Sequence, residues 1–135
     1  YTDKRATPRE ILELDRSDLD IYSSSEPEVV VLGCPHCSRS ELTEIARLLD
    51  GRSVERPLWI CTSRFVAERC RSLISRIEAT GAHVICDTCM IVSPAFEKRS
   101  MMVNSGKALE YGPSLCNSHT VMGTTAGCIN TACNA

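Results

Sequence analysis

The run Val29-Val30-Val31-Leu32 decides the fold, because four aliphatic residues, three of them β-branched, stand between Pro27 and Gly33. A short apolar run that is bounded by turn residues predicts a strand buried on both faces. Strands of this kind are typical of parallel sheets, in which helices cover both faces. The rest of the chain should therefore alternate strands with helices.

The downstream sequence has this alternation. Further strands are predicted at residues 58–61, 83–86, 100–103 and 120–122, and helices at residues 38–50, from Thr62 or Ser63 to Gly81, after Asn104 and in the tail. Strands and helices that alternate at this spacing predict right-handed crossovers. We therefore expect an α/β fold, a three-layer α/β/α sandwich with a mostly parallel sheet.

The N-terminal segment has a different pattern. Thr7-Pro8-Arg9-Glu10 predicts a helix start with an N-cap and a capping box, and Ser23-Ser24-Ser25 predicts a loop. We expect residues 1–27 to form a helix and linker and residues 28–135 to form the α/β domain. Because the chain begins at Tyr1 instead of Met, it is expected to be a piece of a longer protein or a processed one.

Charge and composition argue against several classes of function. The chain has 15 Lys and Arg against 17 Asp and Glu, a net charge of −2, and no basic block, so nucleic acid is not an expected partner. No apolar run approaches the roughly 18 residues of a membrane span, and a secretion signal is missing, so we expect neither a membrane protein nor an exported one. The nine cysteines are an odd number, and four lie in apolar periodic segments as expected packing residues: Cys61, Cys70, Cys86 and Cys128. These features predict a reduced, cytoplasmic protein in which a minority of thiols do chemistry.

The most reactive side chains follow the strands. They lie in four turns, each of which follows a predicted strand: Gly33-Cys34-Pro35-His36-Cys37-Ser38, Cys61-Thr62-Ser63-Arg64, Asp87-Thr88-Cys89-Met90 and Asn104-Ser105-Gly106-Lys107. Ligands of parallel sheets collect at the carboxyl ends of the strands, so all four turns should lie along one edge.

Each turn also has a plainer interpretation. Cys34-Pro35-His36-Cys37 fits a thiol-disulfide exchange site, a metal site such as zinc, or a structural turn. Cys89 is a buried packing residue or a second thiolate that shares an iron or zinc ion with Cys34. His36 is a ligand, a base or a hydrogen-bonded turn residue.

The remaining two turns are suited to anions. Ser63 and Arg64 begin a helix, where N–H groups, a hydroxyl and a guanidinium could converge on a carboxylate or phosphate. Ser105 and Lys107 repeat this arrangement with a hydroxyl and an ammonium. Taken singly, each is equally compatible with a helix cap beside an exposed cation.

Taken in order, the four turns together with Tyr111 resemble the aconitase X family, a branch of the aconitase superfamily that includes cis-3-hydroxyproline and phosphomevalonate dehydratases. The resemblance runs from about Glu28 to Tyr111 and covers the C-terminal part of that family's longer catalytic region. It implies an aconitase-like domain of a hydro-lyase acting on a small hydroxy acid, and a chain that is inactive alone. It also implies two missing partners, the N-terminal catalytic part and a small swivelling domain or subunit.

The resemblance also implies metal ligands. Aconitases hold an iron-sulfur cluster through one Cys after a strand and a Cys-x-x-Cys pair after a later strand, which matches Cys34 and Cys89. The partner of Cys89 falls at Val92, which has no donor atom. The options are therefore a different iron-sulfur cluster, mononuclear iron, or a third ligand from Cys37, Cys61 or missing sequence.

By the same resemblance, Ser105 and Lys107 complete the pocket. We take them as the catalytic residues, with Ser105, deprotonated beside Lys107, as the hypothetical base. The substrate would be bound by residues of three turns, namely His36, Thr62, Ser63, Arg64 and Asn104. The alternative from another class is a structural zinc or thiol-redox module built on Cys34-Pro35-His36-Cys37.

Overall fold

The computed structural model describes residues 26–134 of the chain. The helix expected near Thr7 and the loop expected at Ser23-Ser24-Ser25 lie outside these residues. The strands are β1 (Val29–Cys37), β2 (Leu58–Thr62), β3 (His83–Cys86), β4 (Ser100–Val103) and β5 (His119–Met122). The helices are α1 (Arg39–Leu48), α2 (Arg64–Arg69), α3 (Arg71–Glu78), α4 (Gly106–Cys116) and α5 (Thr125–Cys133), with a short 3₁₀ helix at Pro94–Phe96. None of the helices in this part of the chain is long and apolar enough to cross a bilayer.

The five strands form one parallel sheet in the order β3-β2-β1-β4-β5. The sheet divides the core in two because successive side chains of β1 point to opposite faces. Val30 and Leu32 pack under α1, α3 and α5, whereas Val29 and Val31 pack on the other face with Phe96 and α4. The predicted three-layer α/β/α sandwich is confirmed.

The structure differs from the expected elements at two places. The helix expected to run to Gly81 is two helices, because the backbone leaves the α region at Cys70 (φ −122°, ψ 27°). The Cys34-Pro35-His36-Cys37 segment was expected as a strand-to-helix turn, but β1 continues through it. The pairing with β2 shifts register between Leu32 and Cys37, and the Cys34–Pro35 peptide bond is cis. Helix α1 begins only after Ser38, which closes a capping box with Glu41.

The strand order has its reversal point between β1 and β4. After β1 the chain adds β2 and β3 on one side of it, and later adds β4 and β5 on the other side. All strands stay parallel, but the order in which they are added reverses between β1 and β4. Ligands of doubly wound sheets bind at the carboxyl ends of the strands at such a reversal. Cys34 and Ser105 lie at this position.

Candidate active site at the carboxyl edge of the sheet

The four reactive turns meet at one edge, as expected. His36 Nε2 donates to the Thr88 carbonyl oxygen at 3.0 Å, which joins the end of β1 to the turn after β3. Arg64 Nε donates to Asp87 Oδ2 at 3.0 Å, and the Ser105 hydroxyl donates to the Cys34 carbonyl oxygen. These contacts join every turn to another one.

Cys34 and Cys89 are neighbours at the centre of this edge. Cys89 packs against the core cluster that contains Cys34, and its thiol lies close enough to influence the titration of Cys34. Burial, reinforced by Cys89, raises the pKa of the Cys34 thiol, whereas the Lys107 ammonium and the Ser105 hydroxyl act to lower it. The fold thus brings the two sulfurs into one cluster at this edge, and their role as metal ligands stays a prediction.

A third sulfur ligand is harder to find. Cys61 packs on the same face as Cys34, but it is fully buried, and burial raises its pKa to about 12. Within residues 26–134, no group of three or more His, Cys, Asp or Glu side chains is arranged to hold a metal ion. The edge thus supplies two adjacent sulfur donors, which suit iron, and an incomplete ligand set.

Cys37 is separated from Cys34 by the sheet itself. Cys34 belongs to the core on the α4 face, and Cys37 belongs to the core under α1 and α5. Burial raises the pKa of Cys37 to about 12. A zinc or redox module needs both sulfurs on one side, so this arrangement argues against the alternative built on the two ends of the motif.

The remaining cysteines follow the packing expectation with one exception. All nine are free thiols. Cys61, Cys70 and Cys128 are buried as expected, but Cys86 is only half-buried and joins neither core, because β3 is at the edge of the sheet.

Arg64 is held by an aspartate. Its backbone N–H donates to Asp87 Oδ1 at 2.9 Å in addition to the Nε bond, and Ser63 caps α2 through Val66 N–H. The Arg64 backbone N–H, followed by its guanidinium, holds the pKa of the Asp87 carboxyl below its usual value. The Arg64 side chain is 72% exposed, so the guanidinium remains available to a ligand.

The expected substrate contacts Thr62 and Asn104, like His36, make internal hydrogen bonds. Thr62 is fully buried, and its hydroxyl donates to the Cys37 carbonyl oxygen at 2.7 Å. Asn104 Nδ2 donates to Thr125 Oγ1 at 3.1 Å, which joins β4 to α5. The Thr62 bond is structural, and its predicted contact with substrate has no support in this geometry.

Ser105 and Lys107 flank the sulfur pair. Ser105 caps α4 by accepting the Ala108 N–H at 3.4 Å while it donates to Cys34. Lys107 is exposed in the first turn of α4, with its ammonium close enough to lower the pKa of Cys34. A hydroxyl and a cation therefore stand beside the two thiols at the reversal point of the sheet.

Comparison with known proteins identifies the family and supports the fold. The family profile described as "Aconitase X third domain" matches residues 27–134. The chain belongs to the aconitase X family. It is similar to a solved structure, the Thermococcus kodakaraensis aconitase X in its holo-form, with a TM-score of 0.74 and 30% identity over 87% of this chain and 31% of that one.

Curated relatives of this aconitase X chain are named as dehydratases. The chain is 50% identical over 129 residues to the phosphomevalonate dehydratase large subunit of Methanosarcina mazei, covering 93% of this chain and 32% of the relative. It is 32% identical over 123 residues to the cis-3-hydroxy-L-proline dehydratase of Pseudomonas aeruginosa, covering 85% of this chain and 21% of the relative. The chain therefore spans about a third or less of the length of the curated relatives it matches.

Two residues that support the reactive turns were not singled out from sequence. Asp87 lies in the turn after β3. The only sequence feature that marks it is its position as an acidic residue directly after a predicted strand. Cys116, at the end of α4, has its Sγ 3.4 Å from the Met90 carbonyl oxygen and 3.2 Å from that of Ile91, and so supports the segment that follows Cys89. No local pattern announces this long-range contact.

Proposed function

We propose that this chain is the third domain of an aconitase X dehydratase whose substrate is phosphomevalonate. One observation carries the proposal. The Cys34 and Cys89 thiols meet Ser105 and Lys107 at the reversal point of the sheet, in a chain 50% identical to a phosphomevalonate dehydratase large subunit. Within the longer protein, residues 28–135 form this domain and residues 1–27 lead into it.

Dehydration needs a proton acceptor and a route for the leaving hydroxyl. A proton leaves one carbon, the adjacent carbon–oxygen bond breaks, a carbon–carbon double bond forms and water departs. In this proposal Ser105 releases its hydroxyl proton to solvent, and the Lys107 ammonium stabilises the resulting alkoxide, which then accepts the proton from carbon. The departing hydroxyl takes up a proton from solvent and leaves as water. Ser63 and Arg64 bind one anionic group of the substrate, with His36 and Asn104 beside it.

Cys34 and Cys89 hold an iron or iron-sulfur centre in the proposed enzyme. Thiolates are the ligands that such centres prefer, and these two stand side by side. Bound there, iron would supply a Lewis acid for the leaving hydroxyl. Because the described residues offer two adjacent donors, we propose that the rest of the longer chain completes the ligand set.

The proposed enzyme has a partner. The Methanosarcina mazei relative is named as a large subunit, so we propose that a small subunit or small swivelling domain closes over this edge and that the assembly works in the cytoplasm. Closure would exclude water and complete the substrate site.

The test is to reassemble the enzyme. The full-length polypeptide containing this chain is produced with its small subunit, loaded with iron and sulfide without oxygen, and given phosphomevalonate. We expect loss of substrate and a product lighter by one water, measured by mass spectrometry. Turnover of cis-3-hydroxy-L-proline instead would make the second dehydratase named above the better guide to substrate, and turnover of neither would refute the proposal.

A further inference from the structure

The Arg64 side chain is held by a hydrogen bond at Nε, whereas its two terminal guanidinium nitrogens are free among residues 26–134. One carboxylate, Asp87, accepts both the backbone N–H and the Nε–H of Arg64, at 2.9 and 3.0 Å. Within the part of the chain that the structure describes, neither terminal guanidinium nitrogen has a hydrogen-bond partner. Both terminal NH₂ groups are thus left for another anion.

Asp87 is itself fixed from two other strands. Its backbone is left-handed, with φ of 60°, and its N–H donates to the Thr62 carbonyl oxygen at 3.0 Å. The Thr62 hydroxyl in turn donates to the Cys37 carbonyl oxygen at 2.7 Å. Because Thr62 is fully buried, these bonds anchor the carboxylate to the ends of β1 and β2.

Stability does not explain this arrangement. The Arg64 and Asp87 side chains are 72% and 47% exposed, and ion pairs between exposed groups contribute little to folding. A planar guanidinium held at Nε, however, points its remaining N–H groups in a fixed direction, and fixed donors bind anions better than mobile ones.

We propose that Asp87 is a positioning residue that orients the Arg64 guanidinium toward the anionic group of the substrate. The inference rests on the proposed function, in which Arg64 binds that group. It adds that binding depends on a residue which does not itself touch the substrate.

A purely structural role is the competing explanation, since Asp87 also accepts the first N–H of α2. The variant Asp87→Asn distinguishes the positioning role from the purely structural role. Asn tolerates the left-handed backbone and has one acceptor oxygen. It can therefore accept only one of the two hydrogen bonds that the Arg64 backbone N–H and Nε–H donate to Asp87.

The experiment is a double-mutant cycle on the full-length holoenzyme with its small subunit, using phosphomevalonate as substrate. We compare Asp87→Asn, Arg64→Ala and the double variant by KM, kcat and thermal midpoint. Asp87→Asn should raise KM roughly tenfold, as expected for a weakened charged contact, with kcat and the thermal midpoint nearly unchanged. In the Arg64→Ala background it should have no further effect on KM.

The matched control breaks an ion pair far from the reactive turns. Arg76 Nη2 lies 3.8 Å from Asp50 Oδ1, with both side chains exposed, so Asp50→Asn should leave KM unchanged. An unchanged KM in Asp87→Asn, or a full KM effect that persists without Arg64, would overturn the inference while leaving the dehydratase proposal intact. A wild-type holoenzyme that fails to dehydrate phosphomevalonate would overturn both.

Discussion

The thiol of Cys34 lies beside that of Cys89, on a different strand end, and is separated by the sheet from Cys37, the next cysteine along β1. The alternating side-chain directions of a strand explain the separation, and the parallel sheet explains the neighbour. The pairing of sulfurs at the edge is thus a product of the fold and not of the Cys-x-x-Cys spacing.

Ser105 has two roles in this account, the proposed catalytic base and the N-cap of α4, and substitutions can distinguish them. Ser105→Ala removes the cap of α4, and Thr124→Ala removes the equivalent cap of α5, where Thr124 Oγ1 accepts the Gly127 N–H. Each substitution should cost about 1 kcal/mol of unfolding free energy. Only Ser105→Ala should lower kcat of the reassembled enzyme, by about a hundredfold or more, because it removes the proposed base. Equal kcat in the two variants would remove Ser105 from the mechanism.

Thr62 separates a structural from a substrate-binding role. Thr62→Val leaves the Cys37 carbonyl oxygen without its buried donor, so it should cost about 1–2 kcal/mol in urea unfolding, and Thr62→Ser should recover most of this loss. Neither variant should change KM, because both keep the Thr62 carbonyl oxygen that accepts the Asp87 N–H. A raised KM for Thr62→Val at unchanged stability would restore the substrate contact that the sequence suggested.

Gly33 is required where β1 passes β2. Its φ is 95°, and an added Cβ would lie 2.2 Å from the Cys61 carbonyl oxygen, a backbone atom that cannot move aside. Gly33→Ala should therefore cost about 3 kcal/mol or more. Gly51 is the matched control, because it has φ of 70° with no atom within 4 Å, so its Ala variant should cost only about 1–2 kcal/mol. Equal losses in chemical denaturation would contradict the close approach.

Buried thiols predict a loss of stability in alkali. Burial raises the pKa of Cys37, Cys61 and Cys128 to about 12. The native state therefore holds these protons more tightly than the unfolded chain, so their contribution is full below about pH 8.5 and falls as the pH rises toward the native pKa. Unfolding free energies measured across this range should decline, and Cys128→Ala should reduce the slope by up to about 1.4 kcal/mol per pH unit. An unchanged slope in that variant would contradict the assignment.

Much of the fold followed from periodicity. The apolar runs at Val29, Leu58 and His83 lie in strands, and the buried run of β1 correctly indicated a parallel sheet with both faces covered. The break at Cys70 was not predictable, because Val66 and Leu73 keep helical spacing on both sides of it. The length of β1 was missed because Gly33 and Pro35 are turn residues by local preference, and only pairing with β2 extends the strand to Cys37.

The edge was predictable as a set of turns but not as a set of contacts. Strand order determines which turns become neighbours, and that order cannot be read from the sequence. The Asp87–Arg64 and Ser105–Cys34 bonds each join residues from different turns, so only the folded sheet reveals that one side chain orients another.

The most direct measurement is the iron content of the full-length protein after anaerobic reconstitution, compared among Cys34→Ser, Cys89→Ser and Cys86→Ser. Cys86 is the matched control, since it ends β3 near the same edge but lies outside the sulfur pair. We predict that iron binding is lost in the first two variants and equals wild type in the third. Wild-type iron content in all three would contradict the claim that Cys34 and Cys89 together hold the metal centre.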